Sequence, residues 1–208
     1  MRSWPGWLAV GLSFYFSCHP REKALVQAVH YVGDTVCQRC HADIFAAYAS
    51  SWKSRSLLPI TPSLPRIEDF TQPAVYDPHS RFYYRAAWEG DSLYLYEYRL
   101  DKNDTVYLRR ERRDYAIGSG HQTRSYLLLR NGFLYEAPLT WYARAGRWDL
   151  SPGYHDGHNS RFSREIQPSC LACHASGTQP VPRTYNQYVQ VGGPLGCEAC
   201  HGPGSAHV

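Results

Sequence analysis

The chain has 208 residues, a formal net charge of +4 and an apolar fraction of 43%, which suits one or two packed domains and excludes a disordered or low-complexity polymer. The small basic excess gives no case for nucleic-acid binding. Beyond the N-terminus no segment is long and apolar enough to cross a bilayer.

In chain order, Arg2 followed by the apolar run Trp7–Phe16 reads as an export signal, too short for a comfortable membrane span. Val26-Gln27-Ala28 offers small residues for cleavage, which makes residues 1–28 the signal segment. Ser17-Cys18 is the alternative, a degenerate lipid-anchor site, which Tyr15 and Phe16 fit poorly. The mature chain is thus expected in the periplasm or another extracytoplasmic space. Ala42–Trp52 has helical periodicity, with Ile44, Phe45 and Tyr48 on one side. Leu57–Asp69 carries Pro59, Pro62 and Pro65 and is expected to be extended.

A strand-rich stretch comes next. Arg81–Trp88 and Ser92–Leu100 alternate apolar and polar residues across the turn Glu89-Gly90-Asp91, and Thr105–Arg112 supplies a third strand. Tyr126–Arg130 and Phe133–Ala137 flank Asn131-Gly132, a strong hairpin signal. The pattern predicts an antiparallel sheet of five or six strands at roughly residues 80–142. Trp148–Ser163 reads as a loop, and Gln179–Gly196 as a Pro- and Gly-bearing link. Within Arg109-Arg110-Glu111-Arg112-Arg113 the charges suit a solvated strand face or edge guard, with docking of an acidic redox partner as the sharper alternative. The division is residues 29–65, 66–150 and 151–208. The end at Cys200–Val208 closes no domain, so a fragment of a longer chain is expected.

Six of the seven cysteines fall into three Cys-x-x-Cys-His motifs: Cys37/Cys40/His41, Cys170/Cys173/His174 and Cys197/Cys200/His201. This is the attachment sequence for c-type haem. Two thiols three apart reach both vinyl groups of one porphyrin, and the adjacent histidine ligates the iron. A zinc ribbon would use the last two pairs but explains neither the histidines nor the distant first pair. Disulfides across each pair leave the histidines unexplained. The sequence therefore predicts three covalent haem c groups in a multihaem cytochrome c of α+β class, with short helices and coil around the haems and a central antiparallel β-sheet. The negative propionates would offset most of the net charge.

The only methionine is Met1, so His/Met ligation is excluded once the signal is removed. Seven histidines remain beyond the proximal three: His19, His30, His79, His121, His155, His158 and His207. His19 and His30 lie near the signal boundary, and His79 sits between a Pro-rich stretch and a strand. His121 lies in Gly118-Ser119-Gly120-His121, where small residues would admit a ring, and His158 and His207 flank the paired motifs in short loops. His121, His158 and His207 are therefore the expected distal ligands, with His155 competing with His158. The expected function is electron transfer with redox partner proteins. A haem enzyme acting on a small nitrogen or sulfur compound at a five-coordinate iron, or a haem-stapled sensor module, is the alternative.

The stretches Tyr31–His41, Ala116–Leu127, Trp148–Tyr154 and Cys197–Val208 together resemble the multihaem cytochromes of the cytochrome c-552/c-554 group, especially bacterial forms joined to tetratricopeptide repeats. The resemblance implies that His207, after Cys-His-Gly-Pro-Gly, ligates another haem, and it supports His158. It also implies a tetratricopeptide region in a longer parent chain. Relatives often place Met or His where this sequence has Trp52-Lys53-Ser54-Arg55-Ser56, a departure that leaves one sixth ligand unassigned.

Overall fold

The computed structural model describes residues 28–208, so the export run, Cys18 and His19 lie outside the described residues. Two short helices come first, α1 (Asp34–Gln38) and α2 (Ala42–Ala49), then a 3₁₀ turn at Lys53–Arg55. Strands β1 (Leu57–Pro59), β2 (Val75–Asp77), β3 (Phe82–Glu89), β4 (Ser92–Asp101), β5 (Asp104–Arg112), β6 (Tyr115–Ile117) and β7 (Thr123–Arg130) follow. Next come β8 (Phe133–Glu136), β9 (Leu139–Tyr142), β10 (Arg147–Leu150), β11 (Arg164–Glu165) and α3 (Pro168–Ala172). The chain continues through β12 (Gln179–Pro180), β13 (Tyr188–Gln190), α4 (Glu198–His201) and a second 3₁₀ turn at Gly204–Ala206. The class is α+β with antiparallel sheets between helical ends.

The strands form two main sheets where the sequence pattern predicts one. A four-stranded sheet runs β2-β3-β4-β5, and a seven-stranded sheet runs β1-β6-β7-β8-β11, with β9 added on β7 and β10 on β9. The local hairpins are those the alternation predicts. In the Asn131-Gly132 turn both residues have positive φ, 51° and 83°, the conformation that a right-twisted two-residue hairpin needs. The distant pairings, β1 with β6 and β8 with β11, are set by tertiary packing and have no signature in local sequence.

Three further expectations are corrected. Trp148 is not in a loop: β10 pairs with β9, and Trp148 packs against Trp141 and Tyr126 in the core. The link after the second motif contains the small β12–β13 hairpin. Helix α2 ends at Ala49 and buries no residue fully, and Ile44 is 63% exposed.

One core lies between the two sheets. Phe82, Tyr84, Leu93 and Leu95 of the four-stranded sheet meet Tyr126, Leu128, Leu139, Trp141 and Leu150 of the other. A second core lies on the opposite face of the seven-stranded sheet, where Leu57, Leu127 and Leu134 meet Ile166, Leu171, Ala175, Tyr188 and Val191. Strand β7 serves both: Tyr126 and Leu128 point one way, Leu127 and Leu129 the other. Its unbroken apolar run is the mark of a strand covered on two sides.

At the margin of the first core, the side chains of Arg124 and Glu68 are each 3% exposed and form an ion pair at 2.9 Å. Tyr126 donates to the same carboxylate at 2.6 Å, and Arg124 also donates to the Pro65 carbonyl. This cluster ties the Pro-rich segment onto β7. Arg124→Met, which strands the buried carboxylate, should cost about 3–5 kcal/mol in urea unfolding. The double change Arg124→Met with Glu68→Met should recover most of that loss.

Candidate functional site

Each Cys-x-x-Cys-His motif forms a single helical turn. The His41 and His201 amides donate to the Cys37 and Cys197 carbonyls at 3.0 and 3.1 Å, and the His174 amide to the Leu171 carbonyl at 3.0 Å. One turn places the two thiols of each motif on one side with the imidazole just beyond. All six thiols are free.

The second motif is seated by packing. Leu171, between its cysteines, is 1% exposed and sits in the second core, so the seven-stranded sheet carries α3 directly. A cavity of about 400 Å³ lies beside it, lined by Cys170, Cys173 and His174 together with Gly118, Thr123, Ser125 and Glu136. Burial raises the Glu136 carboxyl, a shift the Arg164 guanidinium at 3.0 Å only partly offsets.

The first and third motifs are seated by polar contacts. Helices α1 and α2 bury no residue. The Cys197 amide donates to Asp34 Oδ1 at 2.9 Å, and the Tyr48 hydroxyl donates to the Leu195 carbonyl at 2.8 Å. Burial, then the Asp34 carboxylate and the adjacent Cys37 thiol, push the Cys197 thiol up to about 11. Ser56 joins the second motif to the lead-in of the third, its hydroxyl donating to the His174 carbonyl at 2.7 Å and accepting from the Leu195 amide at 3.1 Å. Glu198, between the third pair of cysteines, accepts amides from Val32, Gly33 and Gly204. Burial pushes its carboxyl up, but these donors outweigh that and hold it below the usual range. A cavity of about 800 Å³ lies between the three helices, with Asp34 and Thr35, Leu171 and Ala172, and Glu198 and Ala199 on its walls.

The three expected distal histidines fare differently. His207 and His41 face each other with ring centres 6.1 Å apart and planes 16° from parallel. The fold thus brings one proximal and one expected distal imidazole, 166 residues apart in sequence, into a single pair. His121 stacks on Trp52 at 4.7 Å, within the segment where the family resemblance leaves a sixth ligand unassigned. Its neighbours Gly118 and Thr123 line the cavity of the second motif. The glycines beside His121 serve the chain's own packing. A Cβ at Gly118 would stand 2.8 Å from the Thr123 carbonyl oxygen, and one at Gly120 would stand 2.3 Å from Ile67 Cδ1. The loop of His158 is fixed through Asn159, which donates to Asp77 and Tyr84, so its anchors are on β2 and β3 rather than on an attachment helix. It runs beside His79.

The residues present fit covalent haem. Cys170, Cys173 and His174 together line one side of the cavity beside the second motif, so both thiols and the imidazole border the same space. Around the first motif, Tyr31, Ile44 and Trp52 stay 49–69% exposed, an apolar surface that a porphyrin would cover. Nothing in the sequence singles out Asp34 or Ser56, and for Glu198 the only signal is its position inside a Cys-x-x-Cys pair. The arginine run lies on the edge strand β5, as an edge guard would. Its charges are engaged: Arg109 with Glu111, Arg110 with Glu89 and Arg112 with Asp114, while Arg113 is 2% exposed.

Residues 151–202 match the sequence model of the family described as cytochrome c554 and c-prime. The matched stretch contains the second and third motifs whole and supports a c-type cytochrome with covalent haem and a redox role. No curated protein sequence matches the chain. Among solved structures, the crystal structure of the outer cell wall cytochrome OcwA is similar at 18% identity and a TM-score of 0.48, covering 85% of this chain and 32% of that one. The chain therefore spans about a third of that protein's length.

Because packing seats the second motif, Leu171→Ala should cost about 2–5 kcal/mol in urea unfolding. Ala172→Ser, beside it on an exposed position, should cost under about 0.5 kcal/mol.

Proposed function

We propose that the chain is an electron-transfer protein that holds three haem c groups, one at each Cys-x-x-Cys-His motif, in the periplasm or another extracytoplasmic space. The observation that carries this reading is the convergence of the motifs. Although about 130 residues, mostly β-structure, separate the first from the second, Ser56 touches the backbone of the second motif and the lead-in of the third, and Asp34 of α1, the helix that leads into the first, holds Cys197.

Bound haem c supplies one-electron exchange at iron. The chain's part is attachment, spacing and exclusion of water. Cys37 and Cys40, Cys170 and Cys173, and Cys197 and Cys200 hold the three groups, with His41, His174 and His201 as proximal ligands. His207 is the distal partner of His41, supported by the 6.1 Å near-parallel pairing of their rings. His121 is proposed for the second motif, supported by Gly118 and Thr123, which border it in sequence and line that cavity. His158 keeps its proposed role on its place ahead of the second motif and on the family resemblance. His/His ligation favours low potential and electron exchange over ligand binding. Residues 29–65, 66–150 and 151–208 divide the chain into a first haem segment, a β-rich region and a two-haem segment; a tetratricopeptide region in a longer parent chain is proposed on the family resemblance alone.

A second reading, an enzyme or sensor with an open iron, has one observation in its favour. The cavity beside His174 is lined by Glu136, Thr123 and Ser125, polar groups that suit a small polar ligand.

One spectroscopic series separates the two. In the carrier reading, the reduced holoprotein should bind little carbon monoxide and show low-spin bands for all its haems. His207→Ala should turn one haem high-spin, with thioether attachment intact. Strong carbon monoxide binding by the unaltered protein would replace the carrier with the enzyme or sensor.

A further inference from the structure

Glu198 is a buried carboxylate inside the third attachment motif, and its contacts join the segment before the first motif to the turn after the third. Oε1 accepts the Val32 amide at 2.9 Å and the Gly204 amide at 2.7 Å, while Oε2 accepts the Gly33 amide at 2.8 Å and Val32 again at 3.2 Å. One side of this clamp is the extended segment that leads into α1. The other is the Gly-Pro-Gly turn after α4.

Both chain segments held by Glu198 run directly to the paired imidazoles. Gly204 opens the 3₁₀ turn Gly204–Ala206, and its carbonyl accepts the His207 amide at 2.8 Å. Gly33 caps α1, which leads through Cys37 and Cys40 to His41. A second tie lies beside the first: the His30 amide donates to Ser205 Oγ at 2.8 Å, and the Ser205 amide to the His30 carbonyl at 3.3 Å. A Cβ at Gly204 would stand 3.0 Å from Val32 Cγ2 and 3.2 Å from Glu198 Oε1, so glycine lets the turn close onto the clamp.

We propose that Glu198 is a positioning residue that sets His207 opposite His41 by binding the backbone on both sides of the pair. The proposal rests on the reading that these two imidazoles share one haem iron. Two oxygens with about four acceptor sites suit this cluster of donors. An amide offers a single acceptor oxygen, and its NH₂ would face backbone N–H groups. A carboxylate therefore serves this clamp better than an amide, and removing the side chain should release His207 without breaking any thioether bond.

The test uses the holoprotein with four substitutions: His207→Ala, Glu198→Ala, Glu198→Gln and Glu198→Asp. Haem content is read by mass and spin state by electron paramagnetic resonance and the visible spectrum. All four should retain the unaltered protein's haem count. His207→Ala and Glu198→Ala should each turn the same one haem in three high-spin, and added imidazole should restore its low-spin signal. Glu198→Gln should shift part of that haem, and Glu198→Asp should shift it less than Gln does. A purely structural role would lower the melting temperature and leave the spin state unmoved.

If His207→Ala shifts one haem while Glu198→Ala and Glu198→Gln leave it low-spin, the positioning role is wrong and the ligation reading stands. If His207→Ala itself leaves every haem low-spin, the ligation reading falls and takes the proposal with it. Should Glu198→Ala fail to mature, Glu198→Gln decides the matter by the same criterion.

Discussion

Strand β7 is covered on both faces, and the arrangement of the other elements depends on that. Tyr126 and Leu128 face the four-stranded sheet, and Leu127 and Leu129 face the second attachment helix. Each leucine removed from water contributes on the order of 1.5–3 kcal/mol, so the strand fixes two layers at once. The four-stranded sheet adds bulk on one side and leaves the other for α3 through Leu171. A helix of five residues has no stability of its own. Its place is set by the leucine between the two cysteines, not by its hydrogen bonds.

The first and third motifs lack such an anchor. Their helices bury little, and the contacts that place them are polar: Asp34 to Cys197, Tyr48 to Leu195, and Glu198 to Val32, Gly33 and Gly204. Net stabilisation from each such bond is about 1 kcal/mol, so they give direction more than strength. Covalent haem, by covering Ile44, Trp52 and Tyr31, would supply the missing burial. The division of labour is physical: apolar packing holds the second motif on the sheet, and hydrogen bonds lock the other two against each other.

How much of this is legible in the sequence depends on the range of the interaction. The three motifs are legible because their chemistry fixes their spacing, and the Asn131-Gly132 hairpin because its positive φ values require those residue types. Trp148 reads as loop because Gly, His and Asp are frequent between residues 149 and 158, whereas its partner strand, Leu139–Tyr142, decides its state. The split into two sheets is hidden for the same reason: alternation reveals a strand and not its neighbour. Of the site, the proximal histidines are plain. His207 is reachable by elimination, but its match to His41 requires the fold to bring residues 30–33 against 198–205. Glu198 is invisible as a clamp, since its partners are backbone amides with no sequence signature.

The central claim is that all three motifs carry covalent haem. Intact mass of the chain matured in a host with c-type haem machinery, with digestion to locate each group, tests it most directly. Three haem additions are expected, one each on the peptides containing Cys37/Cys40, Cys170/Cys173 and Cys197/Cys200. A mature chain with no covalent haem and zinc bound in its place, or one motif left with two unmodified thiols, would contradict it.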